Sequence, residues 1–516
     1  MNYTYYVRCI LSGISMHKLL ITFLLLSGIC YAASITNNIQ GVGYQDSIVP
    51  YICIQDKKGA VSLALPANKS GDANKASGNS SFAGGTLRFG GCSSTDIYLG
   101  DIGFYVNSVG NNAIGSYTPP EGIHIEYMNP AIDSGGVVTG TVNYTPIETN
   151  MELQQARDNA TWEFVGINLS GLELGKVIDP TVIPNLSLED SSTIYSDLQE
   201  VQSFINAGMN TVRVPVSWGY LQLDGAGVGS INLDYYNNYI RPLLHTLTHA
   251  KIHTIVDLHA YMRYSKFGEY YSGCGGSGAC PDGILILDEK AYQSVWGQLV
   301  ELMQNDPHID KNYLLIDLVS KPVAVPDDKV FTIQTSLIKM LRQQSFNGYI
   351  LVSGNGWSSL HSWSSYHWRG SDNQEYSNAT LFTRDNFAKE GITDLSRILI
   401  NVHQYLDSDY KGTEDECEQD LSTTGEKGFN LNEFVDYLNV NQLKAIVTEL
   451  GTGRSSASCK VPLNDFMNYL KDNSAKNKGY GFVGWALWSV GHGRGDYNLR
   501  VKPDSYQMDV VKEAMQ

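Results

Sequence analysis

From Trp162 onward, short apolar runs rich in β-branched and aromatic residues alternate with stretches of helical periodicity. No other feature narrows the fold as much, because each run followed by a helix must return to the same sheet. The runs are FVGINLS, TVRVPV, HTIVDLH, YLLIDLV, YILVSG, RILINVH, AIVTELG and GFVGWALW. Helical spacing lies between most of them, over 195–207, 234–250, 289–304, 330–345, 432–438 and 464–472. The first of these has Ser191, Ser192 and Thr193 as capping candidates and stops at Gly208. Eight such units predict an α/β fold, a (β/α)8 TIM barrel over 162–516. An open doubly wound sheet is the alternative, but no glycine fingerprint for a dinucleotide follows any run.

The preceding region has a different texture. Residues 33–146 are rich in Gly, Ser and Asn, with apolar runs at 48–54, 61–65, 86–89, 97–106, 123–127 and 137–144. Short runs with turn residues between them predict a small all-β, sandwich-like module, and the polar stretch 147–161 reads as a linker. Ahead of it, a run at 19–29 follows His17 and Lys18 and leads into Ala32 and Ala33, the layout of a signal peptide over 1–32. The chain is therefore expected to be secreted, with no later run long enough to span a membrane. Cysteine usage agrees. Six of the eight cysteines lie beyond the leader, and their spacing favours Cys53 with Cys92, Cys274 with Cys280 and Cys417 with Cys459. A zinc site is the rival reading, but no CxxC pair or His cluster lies near them, so no metal is expected.

Charge removes one class of partner. With 53 acidic against 36 basic side chains and a net charge of -17, the chain is a poor match for a nucleic-acid backbone. In a barrel of this type the reacting groups come from the C-terminal strand ends. Those ends carry Asn168, Arg213, His259 with Tyr261, Ser320 with Lys321, Asn355 with Trp357, His403 with Tyr405, Glu449, and Trp485 with Trp488. Flat aromatic faces with hydrogen-bonding groups between them suit a carbohydrate. Arg213 reads equally as a ligand contact and as a lumen cation paired with Asp317. His259 reads equally as a structural histidine and as a substrate contact. His403 and Tyr405, two apart on a strand, point the same way. Glu449 closes the apolar run AIVTE, where a carboxylate is costly to bury without a partner or a task. Trp485 and Trp488 have opposite strand parity, so one is expected in the core and the other at the rim.

These strand ends resemble glycoside hydrolase family 5, most closely its secreted endo-β-1,4-glucanase branch, over nearly the whole barrel. The resemblance rests on FVGINLSGLELG, GMNTVRVPVSWGYLQ, TIVDLHAYMRY, ILVSGNGWSS, NVHQYLDSDYKGT, AIVTELGTGRSSASC and GFVGWALWSVG, in that order. It implies a retaining mechanism with two glutamates about 5 Å apart, one the nucleophile and the other the acid/base. Carried over, Glu449 matches the nucleophile, Arg213 and His403 support it, and Tyr405 approaches the reacting sugar. The implied partner is a β-glucan polysaccharide or oligosaccharide, bound by a monomeric chain without metal or organic cofactor.

The sequence departs from the family where the acid/base glutamate belongs. An Asn-Glu-Pro motif is expected after the fourth strand, and this chain has Ser320-Lys321-Pro322. A lysine, with an ordinary pKa of about 10.4, is a cation at neutral pH and a poor proton donor for this step. Ser320 replaces the residue that the resemblance assigns to the 2-hydroxyl of the reacting sugar, and Ala260 removes a further polar contact. Asp317 lies about 13 Å deeper along the barrel and is expected to pair with Arg213 or Lys321. Glu269, Asp282 and Asp327 are the loop carboxylates left as substitute acids. The chain is thus expected to be a cellulase-like hydrolase with impaired turnover or, alternatively, a glucan-binding pseudoenzyme.

Overall fold

The computed structural model describes residues 33–43, 49–145 with short gaps, 161–173, 198–265 apart from 199, 283–418, 431–453, 457–491 and 499–515. The expected leader, most of the expected linker, Cys274, Cys280, Glu269 and Asp282 lie outside the described residues.

The N-terminal region is all β. Strands Lys69–Asp72, Ser34–Gly43, Val137–Thr145 and His124–Ile132 form one sheet in that order; Val61–Leu65, Pro50–Gln55, Ser81–Phe89, Ile97–Asn107 and Ala113–Thr118 form the other. Residues from both sheets, among them Ile39, Val142, Ile52, Leu87, Leu99 and Phe104, share one buried core. Cys53 is disulfide-bonded to Cys92. Ser34–Gly43, Lys69–Asp72 and Ala113–Thr118 carry no continuous apolar run, which hid them from the hydrophobic pattern. Ser34–Gly43 is central nonetheless. Its Asn37 is fully buried and donates to the carbonyls of Pro50 and Leu65 at 2.6 and 2.7 Å, which meets the requirement that a buried amide be bonded.

The second region is a closed barrel of eight parallel strands: β1 (Phe164–Leu169), β2 (Thr211–Val216), β3 (His253–Leu258), β4 (Leu314–Asp317), β5 (Ile350–Ser353), β6 (Ile398–Tyr405), β7 (Lys444–Gly451) and β8 (Gly481–Val490). Its helices are amphipathic in the expected way. Glu289–Asn305 begins where the Asp288 carboxylate caps the Lys290 amide, and it buries Tyr292, Val295, Trp296, Leu299, Val300 and Met303 on one face. A hairpin of His367–Arg369 and Glu375–Ser377 and two short helices, Asn378–Leu381 and Arg384–Lys389, separate β5 from β6. Cys417, in the segment after β6, is disulfide-bonded to Cys459 at the head of the helix Lys460–Asp472. Among the described residues no helix is long and apolar enough to cross a membrane.

Strand alternation sorts the lumen into layers. Phe164, Ile255, Leu315, Leu351, Leu399, Ile446 and Val483 form an apolar plug. Two residues further along the strands the plug gives way to polar side chains, Asp257, Asp317, Ser353, Asn401 and Thr448, all fully buried. The site is built on that layer. Leu351→Ala in the plug should lower unfolding stability by about 2–5 kcal/mol, while Val61→Ala, at a 43% exposed position, should change it by less than about 0.5 kcal/mol; midpoints of chemical unfolding measure both.

Candidate active site

The C-terminal ends of β1, β2, β3, β4, β6, β7 and β8 meet around one buried guanidinium. Arg213 Nη1 donates to Asn168 Oδ1 at 2.9 Å and to Glu449 Oε1 at 3.0 Å. Its Nη2 reaches Asp257 at 2.9 Å, Asp317 at 3.0 Å and Ser320 Oγ at 2.9 Å. Burial works against this charge, but Asp257, Asp317 and Glu449 outweigh it, and Arg213 stays protonated. The two readings of Arg213 thus resolve towards a lumen cation that also supports Glu449, with no exposed surface of its own.

Glu449 faces the lumen because of a bulge. Between β6 and β7 the register shifts after Val402↔Val447, so that His403 pairs with Glu449 and Thr448 is the extra residue. Thr448 and Glu449 consequently both face inward. Thr448 Oγ1 donates to Asn401 Oδ1 at 2.5 Å and lies 3.1 Å from His403 Nε2, so the imidazole nitrogen must be the donor there. His403 therefore carries a proton on Nε2. Burial holds its pKa well below the ordinary value. Asn401 Nδ2 closes the circuit by donating to Asp317 at 2.8 Å.

Lys321 completes the first contacts of Glu449. Its Nζ lies 2.6 Å from Glu449 Oε2, and the Tyr405 hydroxyl donates to the same oxygen at 2.5 Å. Aromatic faces enclose the ammonium: Trp488 at 4.8 Å, Tyr405 at 5.8 Å and Tyr261 at 6.0 Å. Burial pushes the Glu449 pKa up, but the facing His403, Lys321 and Arg213 outweigh it and hold the carboxyl well below the usual range. With His403 neutral, the charged members are Lys321 and Arg213. Burial likewise lowers the Lys321 pKa, and Glu449 more than reverses it, so the amine titrates above its ordinary value.

On β3, Asp257 accepts from His259 Nδ1 at 2.8 Å, while His259 Nε2 lies 3.3 Å from the Tyr261 hydroxyl. The imidazole stacks on Trp488 with centroids 5.6 Å apart. Burial, aided by Lys321, lowers the His259 pKa to about 3, so it too is neutral. Tyr261, Lys321 and Trp357 all have left-handed backbone, with φ of 54°, 55° and 58°. Such conformations are costly for large side chains and cluster at ligand-binding rims.

Other expected residues fall elsewhere. Trp485 is not at the rim: it is fully buried in the core that includes the helix layer, because the β7–β8 register shift between Ala445 and Ile446 turns it outward and Trp488 inward. Ser320 Oγ is spent on Arg213. Asp327 is no loop acid poised over a cleft. It is 1% exposed and begins the helix Asp327–Gln343, and its oxygens accept from Asn355 Nδ2 at 2.5 Å and the Trp368 amide at 2.7 Å. Asp317 pairs with Arg213. Two carboxylates were overlooked in the sequence. Asp257 was legible as the lumen-facing partner two residues before His259. Glu173, which accepts from the Ser170 hydroxyl and the Gly171 amide, bears electrostatically on Asp257, His259 and Tyr261.

Residues 178–491 match the family model "Cellulase (glycosyl hydrolase family 5)". The chain belongs to glycosyl hydrolase family 5. Endoglucanase 1 of Robillarda sp. (strain Y-20) is 27% identical over 340 residues, covering 64% of this chain and 79% of that protein. Endoglucanase EG-II of Hypocrea jecorina is 27% identical over 336 residues, covering 63% and 70%. The crystal structure of an endo-β-1,4-glucanase from Xanthomonas axonopodis pv. citri superposes with a TM-score of 0.50 at 27% identity, covering 68% of this chain and 98% of that one. Within the family 5 barrel, Glu449 stands on the seventh strand and Lys321 just past the fourth.

Burial raises the Asp257 and Asp317 pKa values to about 7 against the pull of Arg213. Unfolded aspartates titrate near 4. Through the window between, these two groups hold protons in the folded chain that they release in the unfolded chain, so their own contribution to stability falls as pH rises from about 4 to about 7, opposite in sign to that of the neutral buried His259 and His403. Asp317→Asn should remove its share of that falling contribution, so that the stability of the variant relative to the unmodified chain rises with pH from about 4 to about 7, as read from unfolding midpoints across this range.

Proposed function

We propose that this family 5 chain is an exported β-1,4-glucan-binding protein in which hydrolysis is abolished or strongly impaired. One observation carries the reading: the cation at the acid/base position sits 2.6 Å from the carboxylate that should attack. Retaining hydrolysis needs a free carboxylate oxygen on one side of the glycosidic bond and a protonated acid on the other. Lys321 removes both. Its ammonium occupies Glu449 Oε2 together with Tyr405, while Arg213 occupies Oε1. As a donor it is mismatched, because Glu449 raises its pKa further from neutrality. Tyr261, Tyr405 and Trp488, by contrast, are kept as aromatic rings around the Lys321 ammonium, and Trp357 stands 37% exposed.

Export rests on the leader-like segment 1–32 together with the disulfides Cys53–Cys92 and Cys417–Cys459, which persist in oxidising compartments. The β-rich module is read as an accessory unit, joined through 147–161.

The decisive assay is reducing-sugar release from a soluble β-1,4-glucan. The unmodified chain should bind the polymer and release nothing above background. Lys321→Glu, combined with Ser320→Asn, should gain about 10² to 10⁴ in rate, the usual worth of general acid/base assistance. That gain should vanish when Glu449→Gln is added. Hydrolysis by the unmodified chain that disappears in Glu449→Gln would overturn the proposal in favour of an active hydrolase.

A further inference from the structure

Among the described residues, Asn68, Asn143, Asn168 and Asn378 stand in the pattern Asn-x-Ser/Thr that accepts an N-linked oligosaccharide. The fold sorts them. Asn168 is fully buried, and its Nδ2 donates to Thr448 O and Leu487 O at 2.7 and 3.0 Å. Asn378 is 2% exposed, and its Nδ2 donates to Asn355 O at 3.0 Å. A sugar on either nitrogen would break these bonds and has no room. Asn143 is half-buried in Val137–Thr145, which has a neighbouring strand on each side, and its Nδ2 donates to Met128 Sδ at 3.5 Å.

Asn68 differs from all three. It is the third residue of the turn Pro66–Lys69, closed by the Lys69 amide donating to Pro66 O at 3.2 Å. Its φ of 58° is the left-handed conformation that asparagine tolerates at that position of a turn. Its backbone amide donates to Asn37 O at 2.7 Å, which fixes the turn to the central strand Ser34–Gly43, while the residue itself is exposed.

The place of this turn gives a sugar there a physical task. It joins Val61–Leu65, an outermost strand of the five-stranded sheet, to Lys69–Asp72, an outermost strand of the four-stranded one. The two edges meet: Gly71 lies against Leu63, where an added Cβ would sit 2.8 Å from the Leu63 methyl groups. Open edges present backbone donors and acceptors to other chains, and proteins that persist in solution cover them. Val61–Leu65 reads VSLAL, without charge or proline, and Val61 is 43% exposed. That composition favours addition of a further strand.

We infer that Asn68 carries an N-linked oligosaccharide, which screens the adjoining sheet edges of the β-rich module from other chains. The inference rests on the export proposed above, because the sugar is added on the secretory route. The donor is an oligosaccharide held on a lipid pyrophosphate. Asn68 Nδ2 bonds to the anomeric carbon, the bond from that carbon to the pyrophosphate oxygen breaks, and the amide proton leaves to a base of the transferring enzyme. Transfer precedes the pairing of Lys69–Asp72, since in the fold Ser70 Oγ, the hydroxyl that completes the acceptor pattern, is hydrogen-bonded with Thr36 Oγ1 at 2.5 Å.

Peptide mapping of the chain purified from the medium of the cells that produce it tests this. The tryptic peptide 59–69 should carry the mass of an oligosaccharide, which peptide-N-glycosidase removes, and the peptides holding Asn143, Asn168 and Asn378 should be bare. Asn68→Gly deletes the acceptor but keeps the left-handed turn; Ser70→Thr keeps the acceptor. In light scattering, Asn68→Gly and the enzymatically deglycosylated chain should self-associate at concentrations where the native chain and Ser70→Thr do not. A secreted chain with bare Asn68 overturns the glycan and leaves export standing. A glycan whose removal does not change association overturns the screening. Sugar on Asn168 or Asn378 overturns the sorting by the fold. A chain that never reaches the medium overturns the export reading, and this inference with it.

Discussion

Arg213 is the centre on which the upper half of the barrel depends. A guanidinium with no exposed surface must be matched by charge and hydrogen-bond acceptors, and here β1, β3, β7 and the segment after β4 all contribute. Asp257 and Asp317 share the task fully buried, and burial, which Arg213 only partly offsets, is why both titrate well above ordinary aspartates. From this hub the hydrogen bonds run through Asn401, Thr448 and His403 back towards Glu449. Buried networks of this kind are rigid when every member is satisfied and costly when one is lost. The position of Glu449 is therefore fixed by buried groups of the barrel itself.

Lys321 is grafted onto that rigid frame. On the function proposed above, Lys321 stands where the family carries its acid opposite the nucleophile, and the geometry persists while the chemistry is exchanged. An acid opposite Glu449 would repel it and keep a proton near neutrality; an ammonium there pairs with it and keeps it ionised. Aromatic rings crowd the pair, leaving the Lys321 side chain 12% exposed and Glu449 fully buried.

Much of this was legible from residues alone. Alternation of strand and helix patterns led to the barrel, since amphipathic periodicity is local, and the strand ends led to Arg213, His259, Lys321, His403, Tyr405 and Glu449. What escaped has physical reasons. Ser34–Gly43 is a central strand with few apolar residues, because its Asn37 is satisfied by backbone carbonyls that are distant in sequence. Asp327 looked like a free loop acid, because nothing local reveals that Asn355 and the Trp368 amide would consume its oxygens. The tryptophan pair was split across the two faces of β8 by parity, but parity could not say which of the two faced the lumen.

By itself the sequence determined the family, the order of the strands and the presence of Lys321 and Glu449 at two strand ends, because these depend on residue type and local period. Only the tertiary structure decided that Glu449 faces inward. By alternation from Ile446 and Thr448 it should face the helices; a bulge between β6 and β7 reverses it, and the register between two strands is a property of their pairing. The meeting of Lys321 and Glu449 was decided in the same way. They are distant in the chain, and barrel closure alone brings a cation to 2.6 Å from a carboxylate.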